Sequence, residues 1–109
     1  MVTKLSEDRA KVAILCGRKS AKGYFDAHKN YSDKYLLNVI ENSIESLNRE
    51  FKQPINESLG FYRRNCKNFK DVYAIEFEME RRIESICRYR HLIELCKAEL
   101  LNRKLSNWF

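Results

Sequence analysis

The sequence predicts an all-α fold, a small helical bundle built on an antiparallel pair of helices with a long, heptad-patterned C-terminal helix. The 109 residues contain three glycines and one proline, whereas a sheet protein of this size needs a turn signal about every 8–12 residues. Hydrophobic residues make up 44% of the chain, which favours a packed core over disorder. Apolar residues also recur at helical steps of three and four. We expect a single helical domain over residues 1–109.

The first helix is predicted to begin after Ser6. Its hydroxyl can cap the helix, and two acidic residues in the first turn complement the positive end of the helix dipole. Two glycines give two candidate ends: the helix stops near Gly17, or it continues through a cationic turn to Gly23. No clear pattern assigns a structure to residues 24–31.

A second helix is predicted to begin after Ser32. Its apolar residues recur at steps of three and four and form one stripe: Leu37, Ile40, Ile44, Leu47 and Phe51. Pro54 disfavours the helical conformation at Gln53. The helix should therefore end by about residue 53.

The longest predicted helix runs from Asp71 to about Leu105. One apolar stripe repeats every seven residues: Val72, Met79, Ile86, Ile93 and Leu100. A second stripe follows another face: Tyr73, Phe77, Cys87, His91, Ala98, Leu101 and Leu105. A helix that is apolar on two sides is either sandwiched between neighbours or offers one side to a partner. The sequence leaves both interpretations open.

The same helix carries three Glu/Arg pairs at i,i+4 spacing, the orientation that stabilises a helix: Glu78–Arg82, Glu84–Arg88 and Glu99–Arg103. We expect residues 32–53 to pack antiparallel against residues 71–105, with the N-terminal helix packed across this pair.

Charge and composition favour a basic cytoplasmic protein. The net charge is +6, which suggests an anionic partner, although a solvated surface that maintains solubility is the plainer interpretation. No apolar stretch approaches the ~18 residues of a membrane span, and the N-terminus lacks the apolar core of a signal peptide. We expect no membrane partner, and four cysteines that stay as free thiols.

Nucleic acid is the partner that the sequence favours most. Cations and aromatic residues alternate in segments 18–34 and 61–70, and this mixture can neutralise phosphates and stack on unpaired bases. The candidate binding residues are Arg18, Lys19, Lys22, Tyr24, Lys29, Tyr62, Arg63, Arg64, Lys67 and Lys70. The protein would act as a non-enzymatic accessory or regulatory protein that binds DNA, RNA or a protein that handles them. The competing interpretation buries the aromatic rings in the core.

The alternative function is that of a protein-binding module, such as an inhibitor, an antitoxin-like protein or a helical adaptor. A terminal Trp-Phe pair and the two-faced helix supply the large apolar anchors that interfaces use. The candidate partner-binding residues are Tyr73, Phe77, Leu101, Leu105, Trp108 and Phe109. The same helix could form a homodimer.

Catalytic, metal and cofactor sites are not expected. Cys66 lies among Arg63, Arg64 and Lys67, which makes a cysteine-dependent enzyme a distant alternative. Cys87 and His91 share a helix face, but the chain has no Cys-x-x-Cys pair of the kind that zinc sites usually show. There is no glycine-rich phosphate-binding motif.

Overall fold

The computed structural model describes residues 5–53 and 71–106, with the side chains of the second range described from residue 76 onward. Within these ranges the chain forms three α-helices: α1 (Glu7–His28), α2 (Asp33–Lys52) and α3 (Asp71–Ser106). The same residues contain no strand. The predicted all-α bundle is confirmed, and α3 has the predicted length to within one residue.

Side-chain caps start the first two helices where the sequence predicts. The Ser6 hydroxyl accepts a hydrogen bond from the backbone N–H of Arg9 at 3.3 Å. The Ser32 hydroxyl accepts one from the backbone N–H of Tyr35 at 3.2 Å. Each cap satisfies an amide that would otherwise have no partner in the first turn. α2 ends at Lys52, because the proline two residues later prevents its continuation.

Both predicted ends of α1 are wrong, since the helix passes through Gly17 and Gly23 and ends at His28. Gly17 lies where α1 touches α3: a Cβ placed on it would stand 2.4 Å from the backbone oxygen of Glu84 and 3.0 Å from the Cβ of Cys87. The glycine therefore permits close helix packing and does not terminate the helix.

α1 runs parallel to α3 and packs along it. Near the start of both helices, the Arg9 guanidinium bonds to the carboxylates of Glu76 and Glu80. Near the end of both, Arg103 Nη2 donates to the carbonyl oxygen of Lys29 at 2.6 Å. The prediction that the N-terminal helix lies across the pair is therefore corrected to a lengthwise, parallel packing.

α2 runs antiparallel to α3, as predicted. Its first residue, Asp33, accepts a hydrogen bond from Arg103 Nη1 at 2.6 Å. Its last turn reaches the other end of α3, where Arg81 Nη1 donates to Glu50 Oε1 at 3.2 Å. Because α1 and α2 both pack on α3, the two-sided helix is sandwiched between neighbours over much of its length.

The core lies where the three helices meet, and it is built from these buried residues: Ala21, Leu36, Val39, Ile40, Leu92 and Cys96. The buried face of α2 is therefore displaced from the apolar stripe that the sequence predicts. Of that stripe, Ile40 is buried, whereas Leu37, Ile44 and Phe51 remain substantially exposed. Leu36 and Val39 face α3 instead, so the predicted stripe forms one edge of α2.

A similar shift occurs on α3. Its most buried positions are Glu78, Ser85, Leu92 and Cys96, the first three spaced by seven residues. The predicted heptad stripe stands one residue further along the helix, and its members Met79, Ile86, Ile93 and Leu100 are half-buried. The predicted seven-residue period of α3 is therefore correct, but the line of most buried residues lies one position before the predicted apolar stripe.

Candidate nucleic-acid interface at the basic end of the bundle

The parallel packing of α1 on α3 brings two basic segments to the same end of the molecule. Residues 18–34 carry five Lys/Arg against two Asp/Glu, and residues 88–106 carry five against two. We call these two segments together the basic end. Residues 71–87, at the start of α3, carry five Asp/Glu against two Lys/Arg. The described part of the chain is thus electrostatically polarised along α3.

Four aromatic rings form a cluster where α1 turns into α2, at the basic end. The His28 ring stacks on Tyr24, with centroids 4.2 Å apart, and more distantly on Tyr35, at 5.7 Å. Tyr31 meets His28 edge-on at 5.0 Å. The hydroxyl oxygens of Tyr24 and Tyr35 lie 2.6 Å apart and share a hydrogen bond. We call these four residues the aromatic cluster.

Hydrogen bonds orient two rings in this cluster. His28 Nδ1 lies 2.8 Å from the carbonyl oxygen of Tyr24. Because a carbonyl oxygen can only accept, Nδ1 is the donor of this hydrogen bond. The hydrogen bond with Tyr35, followed by burial, raises the pKa of Tyr24 to about 12, so its phenol stays neutral over the physiological range.

The cluster is nevertheless open to solvent on its outer side. Tyr24 is 40% exposed and Tyr31 is 49% exposed. Rings that are half-exposed and held by neighbours present a surface on which an unpaired base can stack with little loss of side-chain entropy.

Arg103 holds the α1–α2 turn against the end of α3. Its guanidinium donates to Asp33 and to the Lys29 carbonyl at 2.6 Å each, and to Glu99 at 3.1 Å. Asp33 and then Glu99 raise the pKa of Arg103 above its already high value. This side chain therefore remains charged, and it fixes the position of the turn that carries the aromatic cluster.

The predicted cations of the first segment lie on the surface of α1 and the turn. Arg18, Lys19, Lys22 and Lys29 are all exposed. Lys22 is partly neutralised by Asp26, whose carboxylate oxygen is 3.2 Å from Nζ. The other three form no ion pair with another described residue, so they are available to an external anion.

α3 adds cations that the sequence analysis did not single out. Arg90, Lys97 and Lys104 are exposed and spaced by seven residues, which places them on one face of the helix. Arg90 also shares a cavity of about 200 Å³ with Arg18 of α1. The regular spacing was visible in the sequence, but only the packing shows that this face of α3 is open.

Part of the predicted site lies outside the described residues. This applies to the second basic segment, with Tyr62, Arg63, Arg64, Lys67 and Lys70, and to Cys66. It applies equally to Trp108 and Phe109 and to the side chain of Tyr73. Of the predicted partner-binding residues that are described, Phe77, Leu101 and Leu105 have substantially exposed side chains.

The Cys87–His91 pair contributes to the wall of the same 200 Å³ cavity. The buried His91 Nδ1 makes no hydrogen bond, and it lies 3.5 Å from Glu94 Oε2. No group of three or more His, Cys, Asp or Glu side chains that could hold a metal occurs among the described residues. The described cysteines, Cys16, Cys87 and Cys96, are free thiols.

Comparisons with protein-family models, curated proteins and solved structures find no match to this chain. In the described part of the chain, no helix combines the length and the apolarity that crossing a bilayer requires. A functional assignment therefore depends on the chemistry of the surfaces described above.

Proposed function

We propose that the protein binds nucleic acid through the basic end, as a non-enzymatic accessory or regulatory protein. Arg18, Lys19 and Lys29 neutralise backbone phosphates, and Lys22 adds to the same field. Tyr24 and the adjacent Tyr31 provide ring surfaces for unpaired bases. The expected substrate is a single strand or a single-stranded loop, because exposed rings can stack only on bases that are not paired.

One observation carries the proposal: the parallel register of α1 and α3 joins two segments with an excess of cations, and the aromatic cluster lies at their junction. Cations concentrated on one end attract a polyanion more strongly than the same charge spread over the surface. An arrangement that served only solubility would not require the cations and the half-exposed rings to coincide.

The test is fluorescence anisotropy of labelled single- and double-stranded DNA and RNA, titrated with the full chain over a range of salt concentrations. We expect the logarithm of the affinity to fall linearly with the logarithm of the salt concentration, by about 0.7 for each single-strand phosphate contact. We also expect the double-stranded forms to bind more weakly than the single-stranded forms of the same sequence.

The matched variants are R18E/K19E and R49E/K52E. Both change the net charge equally, but Arg18 and Lys19 belong to the basic end, whereas Arg49 and Lys52 lie in the last turn of α2, where Glu50 bonds to Arg81 and Arg82 of the acidic first half of α3. R18E/K19E should reduce the affinity and lower the salt slope by about 1.4, as expected for two lost contacts. R49E/K52E should leave the slope unchanged. Equal effects of the two variants would show that only overall charge matters.

The second basic segment is tested by R63E/R64E. We expect this variant to abolish binding while the helical circular dichroism spectrum is retained, because residues 61–70 combine cations and rings as residues 18–34 do. Unchanged binding would exclude this segment from the interface. Absence of binding by the unmodified protein at low salt would reject the proposed function as a whole.

The protein-binding alternative is favoured by a separate observation, namely the exposed apolar side chains along α2 and at the end of α3. Exposed leucine and isoleucine side chains do not contribute to phosphate recognition, so the nucleic-acid proposal leaves them without a role.

A further inference from the structure

α2 and α3 enclose an apolar groove that is open to solvent. Its volume is about 270 Å³, and it is lined by Leu37, Ile40, Lys97, Leu100, Leu101 and Lys104. Leu37 is 50% exposed and Leu101 is 58% exposed. We call these six residues the α2–α3 groove. Single exposed leucines are ordinary on protein surfaces, but leucines from two helices that face one shared groove indicate an interaction site.

The apolar surface continues beyond the groove. Ile44 and Phe51 follow Leu37 at intervals of seven residues along α2, and both are substantially exposed. Leu105 extends the surface on α3, where it is 50% exposed. A partner helix that lies along α2 and α3 would therefore meet apolar side chains over several turns.

Cations flank this apolar surface. Lys97 and Lys104 belong to the groove. Arg90 lies seven residues before Lys97 on α3, and its guanidinium is 5.7 Å from the centre of the Phe51 ring. These three cations repeat every seven residues and are exposed. The same stretch of α3 also carries Glu94 and Glu99, of which Glu99 pairs with Arg103, and Glu41 and Glu45 are exposed on α2. The six residues that line the groove include two lysines and no Asp or Glu, so the charge of the groove itself is positive.

We propose that the α2–α3 groove binds an acidic amphipathic helix of a protein partner. The leucines of the groove would take the apolar face of that helix. Lys97 and Lys104 are two helical turns apart, or about 10.5 Å, so they match carboxylates spaced by seven residues on the partner. The groove shares Lys97 and Lys104 with the basic end but includes no residue of the aromatic cluster, and the inference does not depend on the nucleic-acid proposal.

Charge selects this occupant over three others. A second copy of the chain would bring the same cations against each other, which disfavours a symmetric pairing of this face. The chain's own segment 61–70 carries four Lys/Arg and no Asp/Glu, so it would be repelled as well. Nucleic acid would leave the leucines facing phosphates and sugars, with no gain from their burial.

The experiment uses the full chain and a labelled synthetic peptide of roughly 18 residues with leucines at steps of three and four and glutamates on both flanks. The control peptide replaces each glutamate with lysine. In anisotropy titrations we expect the acidic peptide to bind at least about tenfold more tightly than the basic peptide, and its binding to weaken as salt is added.

The leucine contribution is tested with the variant L37Q/L101Q, which should weaken binding of the acidic peptide about tenfold, because two apolar contacts are lost.

The variant K97E/K104E provides a charge-swap control that does not depend on loss of function. If the two lysines recognise carboxylates, this variant should lose the acidic peptide and gain the basic one. Thermal unfolding followed by circular dichroism verifies that each variant is folded. L37Q/L101Q keeps the charge of the protein, so it should bind nucleic acid as the parent does, which separates failure of this proposal from failure of the first.

Three results would overturn the inference. The first is that the acidic peptide binds no more tightly than the basic peptide, and the second is that L37Q/L101Q binds the acidic peptide with unchanged affinity. The third is a dimer in analytical ultracentrifugation that L101Q disrupts, which would assign the groove to a second copy of the chain.

Discussion

At the scale of single residues, the two glycines of α1 have opposite surroundings. Gly17 presses against the backbone of α3, whereas a Cβ on Gly23 would meet no atom within 4 Å. Replacing Gly17 with alanine should force the helices apart and lower the free energy of unfolding by about 1–3 kcal/mol. Replacing Gly23 with alanine should raise it by about 0.5–1 kcal/mol, because alanine is the better helix former.

Urea unfolding of G17A and G23A measures both changes in the free energy of unfolding. The comparison is matched, because each variant replaces a glycine of α1 with alanine. Two variants of equal stability, or a G17A variant that is more stable than the parent, would contradict the close approach of α1 and α3 at this position.

The shifted pKa of Tyr24 predicts a specific loss of stability in alkali. Its folded pKa is about 12, whereas an unfolded tyrosine titrates near pH ~10. Below pH ~10 the phenol is neutral in both states, and the contribution of its hydrogen bond is fully present. As the pH rises towards 12, the unfolded chain loses this proton first, so ionisation increasingly favours unfolding.

The measurement is the urea midpoint as a function of pH for the parent and for Y24F. The parent should lose more stability than Y24F between pH ~10 and the folded pKa of Tyr24. Parallel profiles would show that the Tyr24 hydroxyl is not protected by Tyr35.

At the scale of the helices, the sequence predicts starts and ends better than it predicts faces. Ser6, Ser32 and Pro54 act on their own helix, so local chemistry determines where α1 and α2 begin and where α2 stops. The end of α1 could not be predicted in the same way, because Gly17 serves a contact with α3, a helix more than sixty residues away. Its role became visible only with the packing.

The buried faces depend on packing for the same reason. The apolar stripes of α2 and α3 gave the correct period, but the core centres on a line of α3 that includes Glu78 and Ser85. A polar residue at such a position cannot be recognised from hydrophobicity alone. The candidate site was predicted in part: the cations of α1 lie on the surface as expected, whereas the contribution of α3 depended on the parallel register.

Glu78 joins α2 and α3 through a buried carboxylate. Only 1% of its surface is exposed, and it accepts hydrogen bonds from Arg81 and Arg82 at 2.9 and 3.3 Å. Arg81 continues the connection to Glu50 of α2. We expect E78A to lower the free energy of unfolding by about 3 kcal/mol or more, because it leaves partly buried cations without this partner.

The matched control is E94A, because Glu94 lies on the same helix with a mostly exposed carboxylate. Its effect should stay within about 0.5 kcal/mol. Chemical denaturation compares the two, and similar small losses for both variants would mean that the Glu78 pairs add little to the α2–α3 contact.

Arg103 should control the order of the α1–α2 turn. It bonds to Asp33 and to the carbonyl of Lys29 at the two sides of that turn. R103A should therefore accelerate hydrogen exchange of the backbone amides in residues 29–36 more than of those in the middle of α1. R103K should resemble R103A, since one ammonium cannot reproduce the geometry of a guanidinium that bonds to three acceptors. Uniform changes along the chain would instead indicate a global loss of stability.

At the scale of the whole molecule, the fold separates charge. The excess of acids at the start of α3 is largely compensated within the protein, since Glu76 and Glu80 bond to Arg9 and Glu78 bonds to Arg81 and Arg82. Several cations of the basic end, including Arg18, Lys19 and Lys97, have no ion-pair partner among the described residues. The resulting field favours anions at one end and costs stability through repulsion among the cations.

An anion that binds the basic end should therefore stabilise the folded protein. Binding to the native state alone adds about 2.7 kcal/mol at a ligand concentration of 100 times Kd. We expect inorganic polyphosphate to raise the melting temperature at low ionic strength, and sodium chloride to reverse this gain by screening.

Because an unfolded basic chain also attracts polyphosphate, the decisive comparison is between variants of equal charge. R18E/K19E should lose most of the gain in melting temperature, whereas R49E/K52E should retain it, since only the first pair lies where the fold concentrates unpaired cations. Equal gains in melting temperature for both variants would show that polyphosphate binding depends only on net charge. The uneven distribution of charge along α3 would then have no consequence for binding.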